Sequence, residues 1–301
     1  MMNSITKMEN KSCCFKAIES DQVRLIWEIT GRCNLRCVHC FAHVDPENML
    51  DEELTTIEAL HIIKQLKDIN VGKVMLTGGE SLVRKDIAQI IQGIRKQSKD
   101  IIIDLSTNGS LISDGLLNCL KESDVKEVSV SLDGPEKTYR RIRGCNVDFQ
   151  KVLRNIKKLT EIGIKVSTTV VLNKETIDTL EETAKLAQEI GIACLSVADL
   201  VKIQDSDFDY ELLKLSEEEK KKAFFRVSLL QKKYENQMVI RTVRFQPCMG
   251  SSNCENKNII AINRRGMYLH CLSSYKDGDI LLNSRNYTLK QAYEMLLCNF
   301  K

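Results

Sequence analysis

Three cysteines near the start of the chain, Cys33, Cys37 and Cys40, are spaced closely enough to bind metal from one short loop. Three thiolates on such a loop can hold three irons of a cubane [4Fe–4S] cluster and leave the fourth iron open to a small ligand. An electron can then pass from the cluster into that ligand. A structural zinc loop is the alternative, although zinc usually takes four ligands that arrive as two pairs.

A second set of residues that could bind a ligand is Gly78-Gly79-Glu80, which follows a predicted strand. Two glycines allow a ligand to approach the backbone closely, and Glu80 supplies a carboxylate for a bound ammonium group. The alternative is a tight strand-to-helix turn with a solvated glutamate. The cysteine loop upstream favours the ligand site.

The spacing Cys-x3-Cys-x2-Cys, followed by Gly-Gly-Glu, resembles the radical S-adenosylmethionine (SAM) superfamily over residues 23–200. The resemblance implies that the three cysteines bind a [4Fe–4S] cluster and that its open iron holds SAM. It also implies that the Gly-Gly-Glu turn holds the SAM amino group. An electron from the cluster then cleaves the sulfonium to give a 5′-deoxyadenosyl radical, which abstracts hydrogen. His39 departs from the family, which commonly has an aromatic residue before the last cysteine.

Two later stretches also resemble the family. They imply that Ser131 meets the SAM ribose and that Arg143 meets the SAM carboxylate, whose two oxygens suit the arginine fork. The alternative is an Asp-Gly-Pro turn beside a surface arginine. Asn108 lies at the same predicted rim, either near SAM or as a turn residue in the left-handed region. Cys145 is a further candidate, as a hydrogen-atom donor.

The C-terminal cysteines form a second candidate metal site. Cys248 and Cys254 are followed by Gly266-x4-Cys271, which resembles the opening of the auxiliary-cluster extension of radical SAM enzymes, the SPASM and shorter twitch domains. Only Cys298 follows, so a truncated extension with one auxiliary [4Fe–4S] cluster and Cys298 as the candidate fourth ligand is the most that this region supports. The alternative is a set of buried cysteines that act as small hydrophobes.

Composition limits the class of protein. A chain of 301 residues can bury one large core. Twelve cysteines in a chain of this length argue for metal binding in a reducing compartment rather than for a disulfide framework. A net charge of +3 predicts no nucleic-acid partner. The polar N-terminus and the lack of long apolar runs predict a cytoplasmic protein with no membrane partner.

Apolar periodicity predicts six strands that alternate with helices. Such an alternation indicates parallel β/α units with right-handed crossovers, and six units can form an α/β partial (β/α)6 barrel with its chemistry at the carboxyl ends of the strands. The predicted strands are Val23–Ile29, Lys73–Thr77, Ile101–Ser106, Glu127–Leu132, Lys165–Leu172 and Ile192–Asp199, and the predicted helices among them are Asp51–Asp68, Asp86–Gln97, Ser113–Lys121, Phe149–Ile162 and Thr176–Ile190.

The pattern changes after Asp199. A long charged helix with a capping box of Ser216 and Glu219 follows, Met238–Arg244 is predicted to be extended, and a β-hairpin turning through Gly266 precedes a closing helix. The predicted division is an N-terminal tail (1–22), a radical SAM partial barrel (23–200), a linker with the long helix (201–244) and a twitch-like extension of hairpin and helix (245–301).

The resemblance also implies a substrate class. A single barrel with an auxiliary extension is common among family members that modify ribosomally synthesised peptides by crosslinking, epimerisation or oxidation. It therefore implies a precursor peptide as partner, with a reducing partner such as flavodoxin or ferredoxin. The first alternative is a small-molecule radical SAM oxidoreductase of an antibiotic or haem-type pathway. The second, from another class, is a zinc-stabilised binding protein without catalysis.

Overall fold

The computed structural model describes residues 19–40, 53–202, 210–243, 258–270, 272 and 282–298. Within these ranges nine strands form a single sheet. The strands are β1 (Val23–Thr30), β2 (Val71–Gly78), β3 (Ile102–Thr107), β4 (Glu127–Val130), β5 (Lys165–Leu172), β6 (Cys194–Asp199), β7 (Val239–Val243), β8 (Ile259–Ile262) and β9 (Tyr268–Leu269).

The sheet is open and almost entirely parallel. Its strand order is β7-β6-β5-β4-β3-β2-β1-β8-β9, and each strand from β7 to β8 runs parallel to its neighbour. Only the short β9 is antiparallel, paired with β8. The structure confirms the predicted α/β partial barrel, and the carboxyl ends of β1 to β4 lie side by side at one rim.

Nine α-helices are described. They are α1 (Thr56–Lys64), α2 (Ile87–Gln97), α3 (Asp114–Glu122), α4 (Glu136–Arg143), α5 (Phe149–Glu161), α6 (Leu180–Glu189), α7 (Tyr210–Leu213), α8 (Glu217–Tyr234) and α9 (Leu289–Cys298). The predicted capping box of Ser216 and Glu219 is confirmed, and Ser113 caps α3 by accepting from Leu116 N. No helix in the described ranges is long and apolar enough to cross a lipid bilayer.

The sheet has more strands than the six predicted. The predicted extended segment after the long helix is β7, which pairs parallel with β6, so the predicted linker region contributes a strand to the main sheet. The predicted hairpin is confirmed as β8 and β9 with Gly266 in its turn at φ +81°. Its first strand pairs with β1. Short strands beyond the regular β/α alternation lack the periodic context that identified the first six.

Two helical predictions need correction. The first predicted helix does not extend as one element to Asp68, because α1 begins after Thr55 in a capping box with Glu58, and Leu66–Ile69 is a separate 3-10 helix. Helix α4 was missed altogether. It is an eight-residue helix whose exposed surface is highly charged and whose apolar side is limited mainly to Tyr139 and Ile142, so its apolar periodicity is weak.

The two faces of the central strands differ in polarity. On β2, Val74 and Leu76 are fully buried in the core shared with the helices, whereas Lys73 is only half-buried on the opposite face. That polar face carries contacts between strands: an ion pair of Lys73 Nζ with Asp104 Oδ2 at 3.1 Å, and hydrogen bonds of Lys73 Nζ to Glu127 Oε2 at 3.0 Å and between Ser129 Oγ and Ser167 Oγ at 2.8 Å.

Candidate functional site

The carboxyl ends of β1 to β4 bring the predicted site residues to one rim. The cysteine loop follows β1, the Gly-Gly-Glu turn ends β2, and Asn108 follows β3. The turn is joined to the cysteine loop by Glu80 N donating to Arg32 O at 2.8 Å. Three separate segments of the chain therefore meet at one rim.

None of the three loop cysteines forms a disulfide, and each is half-buried. Leu35 N donates to Cys33 Sγ at 3.4 Å, and Cys40 N donates to Cys37 O at 3.1 Å, so the backbone curls around the sulfurs. Burial raises the pKa of the Cys33 thiol to about 11, and the charge of Glu80 adds to the rise. Thiols in this setting need a bound cation to become thiolates, which is the donor chemistry of an iron–sulfur loop.

The zinc alternative calls for ligands that converge on a single ion. Among the described residues, no three His, Cys, Asp or Glu side chains lie together closely enough to hold one metal ion. A cubane cluster spaces its ligands differently, because each thiolate binds its own iron. The lack of a convergent ligand group at Cys33, Cys37 and Cys40, among the described residues, is compatible with that wider spacing.

The two glycines of the turn admit the backbone of the cysteine loop. Gly79 N donates to Thr30 O at 2.9 Å, and a Cβ on Gly79 would lie 2.3 Å from Arg32 O. Gly78 has φ +137°, and a Cβ there would lie 2.2 Å from Thr30 O. In the structure the close approach is thus made by the chain itself, while the approach of a ligand stays a prediction.

Glu80 is a buried acid, only 1% exposed, so the solvated-glutamate alternative is wrong. Its Oε1 accepts from Leu82 N at 3.0 Å and Thr107 Oγ1 at 2.7 Å, and its Oε2 accepts from Asn108 N at 2.6 Å. Burial raises the pKa of Glu80, although these donors and Arg143 act to lower it. A cation bound against the carboxylate would favour its charged form, as the predicted contact with an ammonium requires.

Asn108 ties the end of β3 to the cysteine loop. Its Nδ2 donates to Asn34 Oδ1 at 2.8 Å, and Asn34 Nδ2 donates to Ser110 Oγ at 2.9 Å. Ser110 Oγ closes the ring by donating to Asn108 Oδ1 at 2.6 Å. Among the described residues, positive φ in this turn belongs to Gly109 at +78°, so the left-handed alternative for Asn108 is wrong.

Ser131 directly follows β4 at the same rim. Its backbone N donates to Thr107 O at 3.0 Å, and its side chain is half-buried. It stands two residues beyond Ser129 and so continues the polar face of the sheet up to the rim. This position is compatible with a contact to a ribose hydroxyl, which stays a prediction.

Arg143 is not a surface arginine, because only 13% of its side chain is exposed. Its Nε lies 2.5 Å from Asp133 Oδ2 and its Nη2 lies 3.2 Å from Asp133 Oδ1, while Nη1 donates to Cys37 Sγ at 3.4 Å. The predicted contact with a SAM carboxylate stays a prediction. In this structure the carboxylate that binds the Arg143 guanidinium is that of Asp133. The sequence places this aspartate in the Asp-Gly-Pro turn at the predicted rim, but gives no signal of its pairing with Arg143.

The remaining candidates lie apart from the rim or outside the described ranges. Cys145 is exposed just beyond α4, and its thiol donates to Asn146 Oδ1 at 3.7 Å. Cys298 is exposed at the end of α9. Cys248, Cys254 and Cys271 lie outside the described residues, so the auxiliary ligand set stays a prediction.

Comparison with known proteins identifies the same family that the cysteine loop and the Gly-Gly-Glu turn resemble. A family model described as the radical SAM superfamily matches residues 27–187. The GTP 3′,8-cyclase of Clostridium perfringens is 30% identical over 266 residues, covering 84% of this chain and 81% of that protein. The Fe-coproporphyrin III synthase of Methanosarcina barkeri is 33% identical over 177 residues, covering 59% of this chain. The match spans 44% of that relative, about half of its length.

Among solved structures, SuiB of Streptococcus suis bound to the precursor peptide SuiA is similar with a TM-score of 0.76. The two share 18% sequence identity, and the match covers 93% of this chain and 66% of SuiB. At this identity the likeness shows the fold, including the open sheet of mostly parallel strands.

Proposed function

We propose, from the premise that this chain belongs to the radical SAM superfamily of enzymes, that its rim binds a [4Fe–4S] cluster and SAM. Cys33, Cys37 and Cys40 would hold the cluster. When bound, the cluster supplies the electron that cleaves SAM reductively for hydrogen abstraction. The observation that carries the proposal is the join between the cysteine loop and the buried carboxylate of Glu80.

Within that site the chain's own residues bind and orient SAM. Glu80 is held in place by Thr107, Asn108 and Leu82, so its carboxylate is preorganised for the SAM ammonium without further loss of side-chain freedom. Ser131 stands two strands away, at the end of β4, where it would contact the ribose. The glycines at 78 and 79 keep the turn pressed against the cysteine loop, which brings the two halves of the site together.

We further propose that residues 245–301 form a twitch-like extension that holds one auxiliary [4Fe–4S] cluster through Cys248, Cys254, Cys271 and Cys298. The described hairpin with its Gly266 turn supports this, as does the exposed position of Cys298. The domain division at residues 23–200 and 201–244 belongs to the same proposal, with β7 joined to the barrel sheet.

The iron content of the reconstituted protein tests the auxiliary cluster. The parent should hold about eight irons per chain, and the variant with Cys33, Cys37 and Cys40 all replaced by Ala should keep about four. That variant should also give a paramagnetic signal on reduction. A variant free of iron would overturn the auxiliary cluster and leave the C-terminal cysteines as packing residues or a zinc site.

The proposed substrate is a ribosomally synthesised precursor peptide, modified by crosslinking, epimerisation or oxidation, with a flavodoxin or ferredoxin as reducing partner. The fold neighbour named above was crystallised with a precursor peptide. The polar face that leads to the rim through Ser129 and Ser131 would offer hydrogen bonds to a peptide backbone.

A small-molecule substrate is the second candidate, and one observation favours it. The relative named GTP 3′,8-cyclase matches along most of both chains, including the region after the barrel. The lysine and two carboxylates at positions 73, 104 and 127 add charged groups to the polar face, which suits a polar small molecule.

One experiment separates the two substrate classes. The reconstituted enzyme is incubated anaerobically with SAM and reductant, with candidate peptides in one arm and GTP in the other, and the products are analysed by mass spectrometry. The first proposal predicts a peptide of altered mass, or altered stereochemistry for an epimerase, while GTP is unchanged. Consumption of GTP with unaltered peptides would favour the small-molecule function.

A further inference from the structure

A buried ion pair at the cysteine loop contacts one of the three cysteines. The Asp133 side chain is fully buried, and the side chain of Arg143 is 13% exposed. Two guanidinium nitrogens bond the two oxygens of Asp133, and the third donates to Cys37 Sγ at 3.4 Å. Every nitrogen of Arg143 is therefore engaged, two by the carboxylate and one by the sulfur.

Two further contacts fix the loop to the same unit. Val38 N donates to Ile142 O at 2.9 Å, which joins the cysteine loop to the last turn of α4. His39 Nε2 lies 3.8 Å from Asp133 Oδ1. The loop segment from Cys37 to His39 is thus held against the end of β4 and the end of α4.

The two charges of the pair act on the sulfur with opposite sign. The guanidinium is in hydrogen-bond contact with the sulfur, and the carboxylate lies behind the guanidinium. A neutral pair therefore presents its positive end to Cys37.

We propose that Arg143 tunes the reduction potential of the cluster through Cys37 and that Asp133 is the positioning residue that holds Arg143 there. This assignment rests on the proposed function, in which Cys37 is a cluster ligand. Hydrogen bonds and positive charge near a ligand sulfur stabilise the additional electron of the reduced cluster and raise its potential. Asp133 sets the orientation of the Arg143 guanidinium and offsets part of its positive charge.

The proposal gives Arg143 a role apart from that implied by the family resemblance. A residue that only binds the SAM carboxylate would affect SAM affinity and leave the potential of the SAM-free cluster unchanged. A residue that acts on Cys37 shifts that potential before SAM is added. The two roles are therefore separable by a measurement made without SAM.

The test is a redox titration of reconstituted, SAM-free protein that is monitored by electron paramagnetic resonance. All proteins in the titration lack Cys248, Cys254 and Cys271, so that one cluster is observed. Arg143→Met should shift the midpoint potential to a more negative value, because a positive charge is lost. Asp133→Asn should shift it to a more positive value, because the guanidinium is no longer offset. Shifts of the same sign, or no shift, would overturn the proposal.

Two controls keep the result interpretable. Arg141→Met removes an exposed arginine of the same helix, paired with Glu175, and should leave the potential unchanged. If burial of an unpaired charge prevents Arg143→Met or Asp133→Asn from folding, the midpoint potential of Arg143→Lys tests the proposal instead. Lysine keeps the charge but cannot bond both Asp133 and Cys37, so a smaller negative shift is expected, and no shift contradicts the proposal.

Failure of this inference is distinguishable from failure of the proposed function. If the parent with intact Cys33, Cys37 and Cys40 shows no reducible cluster whose signal SAM perturbs, the proposed function itself fails. If the parent shows such a cluster and the variants at Asp133 and Arg143 keep its potential, only the tuning role is overturned.

Discussion

At the scale of single residues, Glu80 is the most constrained acid of the site. It is buried, and its two oxygens accept three hydrogen bonds, one from its own turn at Leu82 and two from the end of β3 at Thr107 and Asn108. Such a carboxylate is held in one orientation and cannot turn to solvent, so it is suited to recognise a fixed cationic group. The negative charge costs desolvation that a bound ammonium would offset.

Replacement of Glu80 by Gln should weaken SAM binding by roughly 1–3 kcal/mol, the cost of losing a charge-assisted hydrogen bond. Cluster assembly should persist, because no cysteine changes. Anaerobic equilibrium binding of SAM to the reconstituted protein measures the effect, with Glu161→Gln on the exposed side of α5 as the control. Unaltered SAM affinity in the Glu80 variant would show that Glu80 lies outside the SAM site.

The sequence predicted the cysteine loop and the Gly-Gly-Glu turn because their residue types and spacing are local signals. The partners of these residues are not local. Thr107 meets Glu80 across 27 positions, and Arg143 meets Cys37 across 106. Those contacts depend on the order of the strands in the sheet, which spacing along the chain does not reveal.

At the scale of elements, the turn after β2 and the loop after β1 act as one unit. Backbone hydrogen bonds join them at Gly79 and Glu80, and neither glycine has room for a Cβ without displacing the backbone of residues 30–32. The strands themselves pair in parallel, with a register shift between Glu28 and Thr30 just before this point. The positions of the cysteines therefore depend on small residues in a neighbouring strand end.

Gly79→Ala should destabilise the protein by about 1–3 kcal/mol, the usual cost of overpacking, and should lower its iron content by displacing the cysteine loop. Gly115→Ala is the matched control, because its nearest heavy atom lies 3.9 Å from the new methyl group. That substitution lies in α3 and should stabilise it by about 0.5–1 kcal/mol. Denaturant unfolding measures the stability of both variants, and iron analysis measures their iron content. Equal stability of the two variants would contradict the close packing at Gly79.

Prediction of elements succeeded where apolar periodicity was long and regular. Strand β5 was predicted at its observed bounds, Lys165–Leu172, and the long helix α8 at its observed cap. Helix α4 was missed because charged residues dominate its sequence, yet it carries Arg143. An element that holds a charged side chain against the cysteine loop gives little apolar signal.

At the scale of the whole molecule, the C-terminal segment packs back on the first helix of the barrel. Arg285 Nε donates to Glu58 Oε1 at 2.6 Å, and Leu289 N at the start of α9 donates to Gln65 Oε1 at 2.8 Å. Glu58 also accepts from Thr55 as part of the capping box of α1. The proposed extension and the barrel thus share contacts more than 200 positions apart.

The link between Arg285 and Glu58 should depend on pH. The hydrogen bond from Arg285 lowers the pKa of Glu58 to about 2 from its ordinary value of 4.5. The folded state therefore binds this proton less readily than the unfolded chain, and the stabilisation is present above pH 4.5 and is lost as the pH falls toward 2.

The stability of the parent relative to Arg285→Met measures this dependence. Near neutral pH the parent should be more stable by less than about 1 kcal/mol, because both side chains are partly exposed. The difference should shrink as the pH falls through the range from 4.5 to 2. A difference that is constant across that range would contradict the ion pair as its source.

The central claim, that the rim cleaves SAM, is tested most directly by the yield of 5′-deoxyadenosine from the reconstituted protein with SAM and reductant under anaerobic conditions. The parent should form it, and so should Cys119→Ala, which alters a buried cysteine of α3. The variant with Cys33, Cys37 and Cys40 replaced by Ala should form none, because the cluster that donates the electron has lost its ligands. Formation of 5′-deoxyadenosine by that triple variant at the parent rate would contradict the assignment.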